Sequence, residues 1–371
     1  MSASVFADDK RSSAIAIARR LQEAGERAYF VGGCVRDALL GQTPSGDYDI
    51  ATSATPDRIA EIFPDAFGVG KSFGVMLVPS PSGLVEVATF RRDGEYSDGR
   101  RPDSVSFCGE VDDAMRRDFT VNALFSDPIA EKVYDYVGGR DDLNARLIRA
   151  VGDPLRRFSE DYLRMLRAVR FAARLGFDIE PATRGAIRSL ADRILRIAPE
   201  RIGKELLLCF AVRNARRVLE QLDDTGLLAA LLPEIERMKG VDQPPQFHHG
   251  LDVWQHTLRA MEELPAAADD HGLPFPDAEL AFAAALHDIG KPPTFDDSGD
   301  RIRFSRHASV GKTLADEVCR RLRLSNRARD RIVSLVGDHM RFMDIQRMKQ
   351  STLRRFLLRA GIEDHLALHQ A

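Results

Sequence analysis

Asp47 and Asp49 flank one tyrosine in the stretch GDYDI, directly before an apolar run. On an extended strand alternate side chains share a face, so the two carboxylates stand together and repel unless something holds them. A hard divalent cation does so, because Mg²⁺ takes one or two carboxylates together with the phosphate oxygens of its substrate. Two such ions, about 3.5–4 Å apart, stabilise the attacking and leaving oxygens of an in-line phosphoryl displacement. That chemistry draws a third carboxylate from a neighbouring strand, and Glu86, set between the valines of LVEVATF, is the candidate. Upstream, YFVGGCVRDALLG sets Gly32 and Gly33 at a strand-to-helix turn, with Arg36 shortly after and eleven residues before Asp47. Glycines at such a turn let phosphate approach backbone N–H groups, and a guanidinium adds a bidentate donor.

A second constellation lies in LRRFSEDYLRMLRAVRFAARL. Read as one helix, it turns Phe158, Tyr162, Met165, Leu166 and Val169 into an apolar stripe and leaves Asp161, Arg164, Arg167 and Arg170 as an i, i+3 row beside it. A carboxylate accepts from an exocyclic amine, while a guanidinium donates to a ring nitrogen or carbonyl. Cytosine and adenine both offer an amino group beside an acceptor nitrogen, so Asp161 with Arg164 pairs with either and rejects guanine and uracil. Arg167 and Arg170 would orient that pair or meet the triphosphate. A third constellation is histidine-rich: VWQHT, AALHDIGK, RHASVG and VGDHM supply His256, His287, Asp288, His307 and His339. Neutral imidazoles and a carboxylate suit one or two transition metals (Ni, Mn, Fe or Co) that activate water.

The elements that must position these residues fall into an α+β order. Residues 28–137 mix β-branched runs (YFVGG, DYDIAT, GVMLV, LVEVATF, KVYDYV) with Gly and Pro punctuation, as in a mixed sheet with a few helices. From Leu155 onward the apolar spacing is helical, which sets one boundary near residue 150 and another near 215–245, where GVDQPPQFHHG breaks the pattern. All nine histidines lie between His248 and His369, marking a C-terminal module with its own chemistry. The net charge of −3 is unevenly spread. Residues 151–220 hold fifteen basic and nine acidic side chains and residues 320–359 twelve and three, so two stretches could follow a phosphate backbone, whereas residues 261–300 hold one and ten. No apolar run approaches a membrane span, the N-terminus lacks the layout of a secretory signal, and four scattered cysteines point to a reducing cytoplasm. No feature calls for an obligate protein partner.

VGGCVRDALLG…GDYDIAT, DDAMRRDFTVNAL, EDYLRMLRAVRFAARLGF and APERIGKEL together resemble the class II tRNA nucleotidyltransferase and bacterial poly(A) polymerase family, over roughly residues 25–215. The resemblance implies a polymerase-β-like nucleotidyltransferase head (1–150), an all-α neck that selects the base and binds RNA (151–215), and a helical body (216–371). It implies that Gly33, Arg36 and Arg117 contact the incoming nucleotide and that Asp47 and Asp49 hold Mg²⁺. The loop RRDGEYSDGRRPDSV (91–105) is similar to the family's mobile loop, linked to the switch from C to A addition. FGVGKSFGVMLV (67–78) fits the glycine-rich pattern of CCA-adding members better than that of poly(A) polymerases, although Val75 replaces a common Thr. The expected activity is addition of C, C and A from CTP and ATP to a tRNA 3′ end; a poly(A) polymerase, or a CC-adding or A-adding enzyme, is the alternative. HDIGK after an apolar helical run is similar to HD-superfamily phosphohydrolases over 245–371, and that pattern closes with a late Asp. The expectation is that Asp364 supplies this ligand or that the chain is truncated before it.

Overall fold

The computed structural model describes residues 3–44, 47–70, 73–94, 104–244, 250–275 and 277–371. They form two compact units, Met1–Asp161 with Asp178–Thr183, and Tyr162–Phe177 with Arg184–Ala371. The chain thus changes unit at Asp161, beyond the break expected near residue 150.

The first unit is built on a mixed sheet. Its elements run α1 (Ala3–Glu23), β1 (Ala28–Val31), α2 (Gly33–Leu39), β2 (Asp49–Thr52), α3 (Pro56–Ile62), β3 (Phe67–Gly70), β4 (Val75–Ser80), β5 (Gly83–Thr89), β6 (Arg91–Asp93), β7 (Val105–Phe107), α4 (Glu110–Met115), β8 (Leu124–Asp127), β9 (Lys132–Asp135) and α5 (Gly139–Ala145). The β-branched runs anticipated from the sequence supply β1, β2, β4, β5 and β9. Seven strands pair in the order β3-β4-β5-β2-β1-β8-β9. β2 and β5 run parallel and the other neighbours antiparallel.

Register decides which side chains share a face. Phe30 pairs with Ile50 and Ile50 with Val87, making a buried row across three strands. One residue earlier Val31 pairs with Asp49, and the parallel register sets Asp49 beside Glu86 on the opposite face. That opposite face also carries the buried cluster Tyr29, Val31, Ala51, Phe90 and Phe125, against which Tyr134 and Tyr136 pack. Helices α1 and α3 pack on each other and on strands of the sheet. α6 (Pro154–Glu160), with Asp153 as its N-cap, closes this unit, and Leu147–Ile148 pairs in parallel with Asp178–Ile179.

The second unit is helical. α7 (Leu163–Leu175) buries Met165, Leu166, Val169 and Ala172 and packs on the Pro199–Phe210 helix. Farther on, the Ala278–Leu286 helix, AELAFAAAL, is apolar on all sides and buried from Leu280 to Leu286, as a helix through the middle of a core must be. The Val253–Asp270, His307–Arg321 and Asn326–Asp338 helices belong to the same unit, the first opened by a reciprocal Asp252 and Gln255 cap. No helix among the described residues is long and apolar enough to cross a membrane. The segment 95–103, which holds most of the loop likened to the family's mobile loop, lies outside the described residues, as does Gly46.

Candidate active sites

At the head of the first unit, β1 ends at Val31 and the chain turns through Gly32 at φ 76°, ψ −132°, a backbone state that a residue with a Cβ resists. A Cβ on Gly32 would lie 3.7 Å from Nη1 of Arg117, and one on Gly33 would lie 3.6 Å from Nη2 of Arg36. Both arginines therefore lie against the turn. Asp49 opens β2 on the adjacent strand, and Glu86, Asp47 and Arg117 all act on its carboxyl. Burial raises the Asp49 pKa to about 6, with Glu86 and Asp47 adding to the rise and Arg117 opposing it. Lys10 on α1 donates to Asp47 at 2.8 Å. Carboxylate oxygens are the donors that a hard divalent cation takes, and Asp47 and Glu86 couple to Asp49 through their charge.

The arginines are themselves held. Arg117 donates through Nε and Nη2 to Asp113 at 3.2 and 3.0 Å and stands over the Phe125 ring. Asp113 is buried and also accepts from Arg116 and from the backbone N–H of Arg91. Although burial pushes its pKa up, Arg117 and Arg116 hold it below the usual carboxylate range. Arg36 is 2% exposed, donates twice to Asp37, and reaches Asn122 Oδ1 at 2.5 Å. The sequence reading offered Arg36 as a donor to phosphate; the structure encloses its guanidinium beneath the glycine turn, because Asp37 and Asn122 supply the acceptors that burial demands. Asn122 also presents its carbonyl to Arg117 at 3.4 Å, so one residue touches both arginines.

In the second unit the five residues expected to gather do so. Asp288, 1% exposed, turns Oδ2 toward Nε2 of His287 at 3.1 Å and of His256 at 3.5 Å. Its Oδ1 faces His339 at 3.6 Å and His307 at 3.7 Å. Nδ1 of His287, His307 and His339 donates to the carbonyls of Ala284, Phe304 and Val336, so in the neutral rings each Nε2 carries a lone pair. Those nitrogens nevertheless approach in pairs, His256 to His287 and His307 to His339, both at 3.3 Å. Between His307 and His339 the lone pairs face one another and ask for a cation, whereas His256 can donate to His287; imidazole nitrogen with carboxylate oxygen suits a transition metal. Two triplets, His256–His287–Asp288 and Asp288–His307–His339, could each hold one ion with Asp288 shared. Burial opposes charge on Asp288, yet His287 and Lys291 hold its carboxyl well below the usual range. Lys291 Nζ lies 2.6 Å from Asp288 Oδ2 and donates to Gln243. Gly290 makes the gathering possible: a Cβ there would lie 2.1 Å from the His307 carbonyl oxygen, so only glycine admits the turn that carries His307.

Three family models match consecutive stretches: the poly A polymerase head domain at residues 28–149, the probable RNA and SrmB-binding site of polymerase A at 176–239, and the HD domain at 253–365. The CCA-adding enzyme of Geobacillus stearothermophilus is 45% identical over 219 residues, 59% of this chain and 54% of that protein. The CCA-adding enzyme of Bacillus licheniformis is 39% identical over 267 residues, 70% of this chain and 67% of that protein. The chain belongs to the CCA-adding enzyme family. A crystal structure of the Bacillus stearothermophilus CCA-adding enzyme in complex with CTP superposes with a TM-score of 0.68 at 30% identity, covering 96% of this chain and 76% of that one. The chain spans about half the length of the first two curated relatives it matches, at 54% and 53%.

Two readings made from helical spacing and from the HD pattern fall differently in the structure. Asp161 does not begin a helical row: it ends α6 in extended backbone at φ −151°, ψ 106°, and α7 starts only at Leu163. The i, i+3 geometry therefore holds for Arg164, Arg167 and Arg170 alone. Arg170 ion-pairs with the buried Glu205 at 3.0 Å, and both Arg167 and Arg170 lie over the Phe171 ring. Asp364 does not join the histidines; Arg331 takes it at 2.8 Å together with Asp277 and Glu279. Asp113, Asn122, Asp37, Lys10, Lys291 and Gln243 escaped the sequence reading. Asp113 and Asn122 lie inside the quoted DDAMRRDFTVNAL, where an acid three and four residues before two arginines was the available signal.

Proposed function

We propose that this chain adds C, C and A from CTP and ATP to the 3′ end of tRNA, releasing pyrophosphate. The observation that carries the reading is the coupling of Asp49 to Asp47, Glu86 and Arg117, with the parallel β2–β5 register bringing Asp49 level with Glu86 and the glycine turn beside Arg117. Mg²⁺ bound to the three carboxylates would polarise the transferring phosphoryl group and lower the pKa of the attacking hydroxyl. The chain's own residues do the rest. The Gly32–Gly33 turn leaves room for phosphate against the backbone, and Arg117, clamped by Asp113, presents a fixed guanidinium to the triphosphate. Arg36 holds the turn from beneath. The Asp161 carboxylate accepts from the amino group that cytosine and adenine share, and the basic helical stretches bind the tRNA. The free state of all four cysteines accords with a reducing cytoplasm.

The test is incubation of the protein with Mg²⁺, a tRNA lacking its terminal CCA and all four NTPs, followed by sequencing of the product. The expected product ends in CCA. Homopolymeric A tails on unrelated RNA, or arrest after CC or after a single A, would replace this reading with a poly(A) polymerase or a partial enzyme. Asp161→Ala should leave transfer running while admitting GTP or UTP.

A second activity is favoured by the facing imidazole pairs around Asp288: metal-dependent hydrolysis of a phosphate ester. A transition metal there would supply activated water, and Lys291 would hold Asp288 ionised and in place. Elemental analysis and hydrolysis of a 2′,3′-cyclic phosphate test it; a metal-free protein without turnover would reject it.

A further inference from the structure

The second unit holds a cavity of about 560 Å³. Lys312, Arg341, Arg355 and Arg359 line it, and Asp338 is the acidic side chain among the described lining residues. Asp338 is already engaged, by Arg341 at 3.4 Å and by Arg359. Four cations around one carboxylate leave an uncompensated positive field in a concave surface, an arrangement that concentrates anions. The cations are positioned. The stem of Lys312 lies across Gly337, where a Cβ would come within 2.8 Å of it. Arg359 donates to Ser334 at 2.7 Å, and Arg341 stands over the ring of Phe356, which forms a buried floor. The volume suits a small ligand, and guanidinium forks match phosphate oxygens. Asp338 immediately precedes His339 in the sequence.

We propose that this cavity binds the phosphate of a ribonucleotide, free or at the end of an RNA. The proposal rests on the charges that line the cavity and not on the hydrolytic reading of the histidine cluster, and its test does not require turnover. Calorimetric titration of the full chain, in EDTA, uses adenosine 3′-monophosphate and a short RNA ending in a 3′-phosphate as probes. The double variant Lys312→Glu with Arg355→Glu should weaken binding at least about tenfold, since two attractive charges become repulsive. Arg355→Lys should keep binding within about threefold, which separates charge from misfolding. Arg117→Ala, which disables the nucleotide site of the head, should change it less than twofold. Binding of both probes supports a site for the shared phosphate; binding of the RNA alone narrows the source to RNA ends, and of the mononucleotide alone to free nucleotides. Binding of neither, unchanged affinity in the folded double variant, or loss in Arg117→Ala would overturn the proposal. His339→Ala should abolish hydrolysis and keep binding in EDTA. A wild-type protein that binds yet never hydrolyses would thus refute the hydrolytic reading and leave the cavity assignment standing.

Discussion

Asp49 stands at an exposed strand end among two other carboxylates and an arginine, whereas Asp288 lies 1% exposed between four imidazoles and an ammonium. Their surroundings move the two groups in opposite directions. Burial and acidic neighbours push Asp49 up to about 6, while His287 and Lys291 hold Asp288 well below the usual range. The difference is one of donor chemistry. Oxygen ligands on an open edge leave room for a cation that keeps its waters and brings substrate phosphates. Nitrogen ligands in a closed pocket hold a softer ion as a resident. On the function proposed above, the first site would take a cation that travels with its substrate and the second one that stays.

The largest effects should come from separating the two. Asp47→Ala or Asp49→Ala should lower nucleotide incorporation about 10³-fold and leave bound transition metal unchanged. His287→Ala should remove the resident metal and leave incorporation within about twofold. If either variant damages both activities equally in a folded protein, the division of labour fails. Next in size, Asp288→Asn should lower the transition-metal content measured by elemental analysis by about tenfold or more, because it removes the one carboxylate that all four imidazoles share.

A smaller effect sharpens the role of the arginine clamp. Asp113→Asn should raise the KM for CTP and ATP about tenfold, with kcat less affected, since it loosens Arg117 without touching a carboxylate of the metal site. The smallest is thermodynamic. The folded state holds the Asp49 proton up to about pH 6, against 3.8 for the ordinary group, so between these values the folded state binds more protons than the unfolded one. Stability from this group therefore falls as pH rises through that window, and above it the ionised carboxylate destabilises the cation-free fold. Asp49→Asn should raise Tm by a few degrees at pH 7 in EDTA. The gain should shrink toward zero near pH 4 and be offset in the wild type by added Mg²⁺. Equal Tm values at pH 7 would mean that Asp49 is not crowded.

Motifs whose chemistry depends on neighbours in the chain were legible, and those that depend on register or burial were not. Asp47 and Asp49 are two residues apart and their pairing was legible as a motif, but β2 begins only at Asp49 and leaves Asp47 before the strand, where Lys10 donates to it. Glu86 stands beside Asp49 only because β2 and β5 run parallel with Ile50 opposite Val87. Arg36 reads in the sequence as a phosphate donor, yet Asp37 and Asn122 draw it inward, and Asn122 is 86 residues away. The helical wheel that joined Asp161 to Arg164 assumed a continuous helix, which the extended backbone at Asp161 interrupts. Asp364 was a plausible last ligand on spacing alone, and Arg331 claims it across 33 residues.

By itself the sequence determined the residue types and local spacings: an acid pair before an apolar run, a double glycine after another, an HD pair at the end of an apolar helix. These follow from short-range geometry, the period of a strand or helix and the freedom of glycine. Tertiary structure alone decided which of those groups share a face, which are sealed from water, and which imidazoles confront one another. Those outcomes depend on close packing between segments far apart in the chain, as where Gly290 lets the backbone carrying His307 approach Asp288.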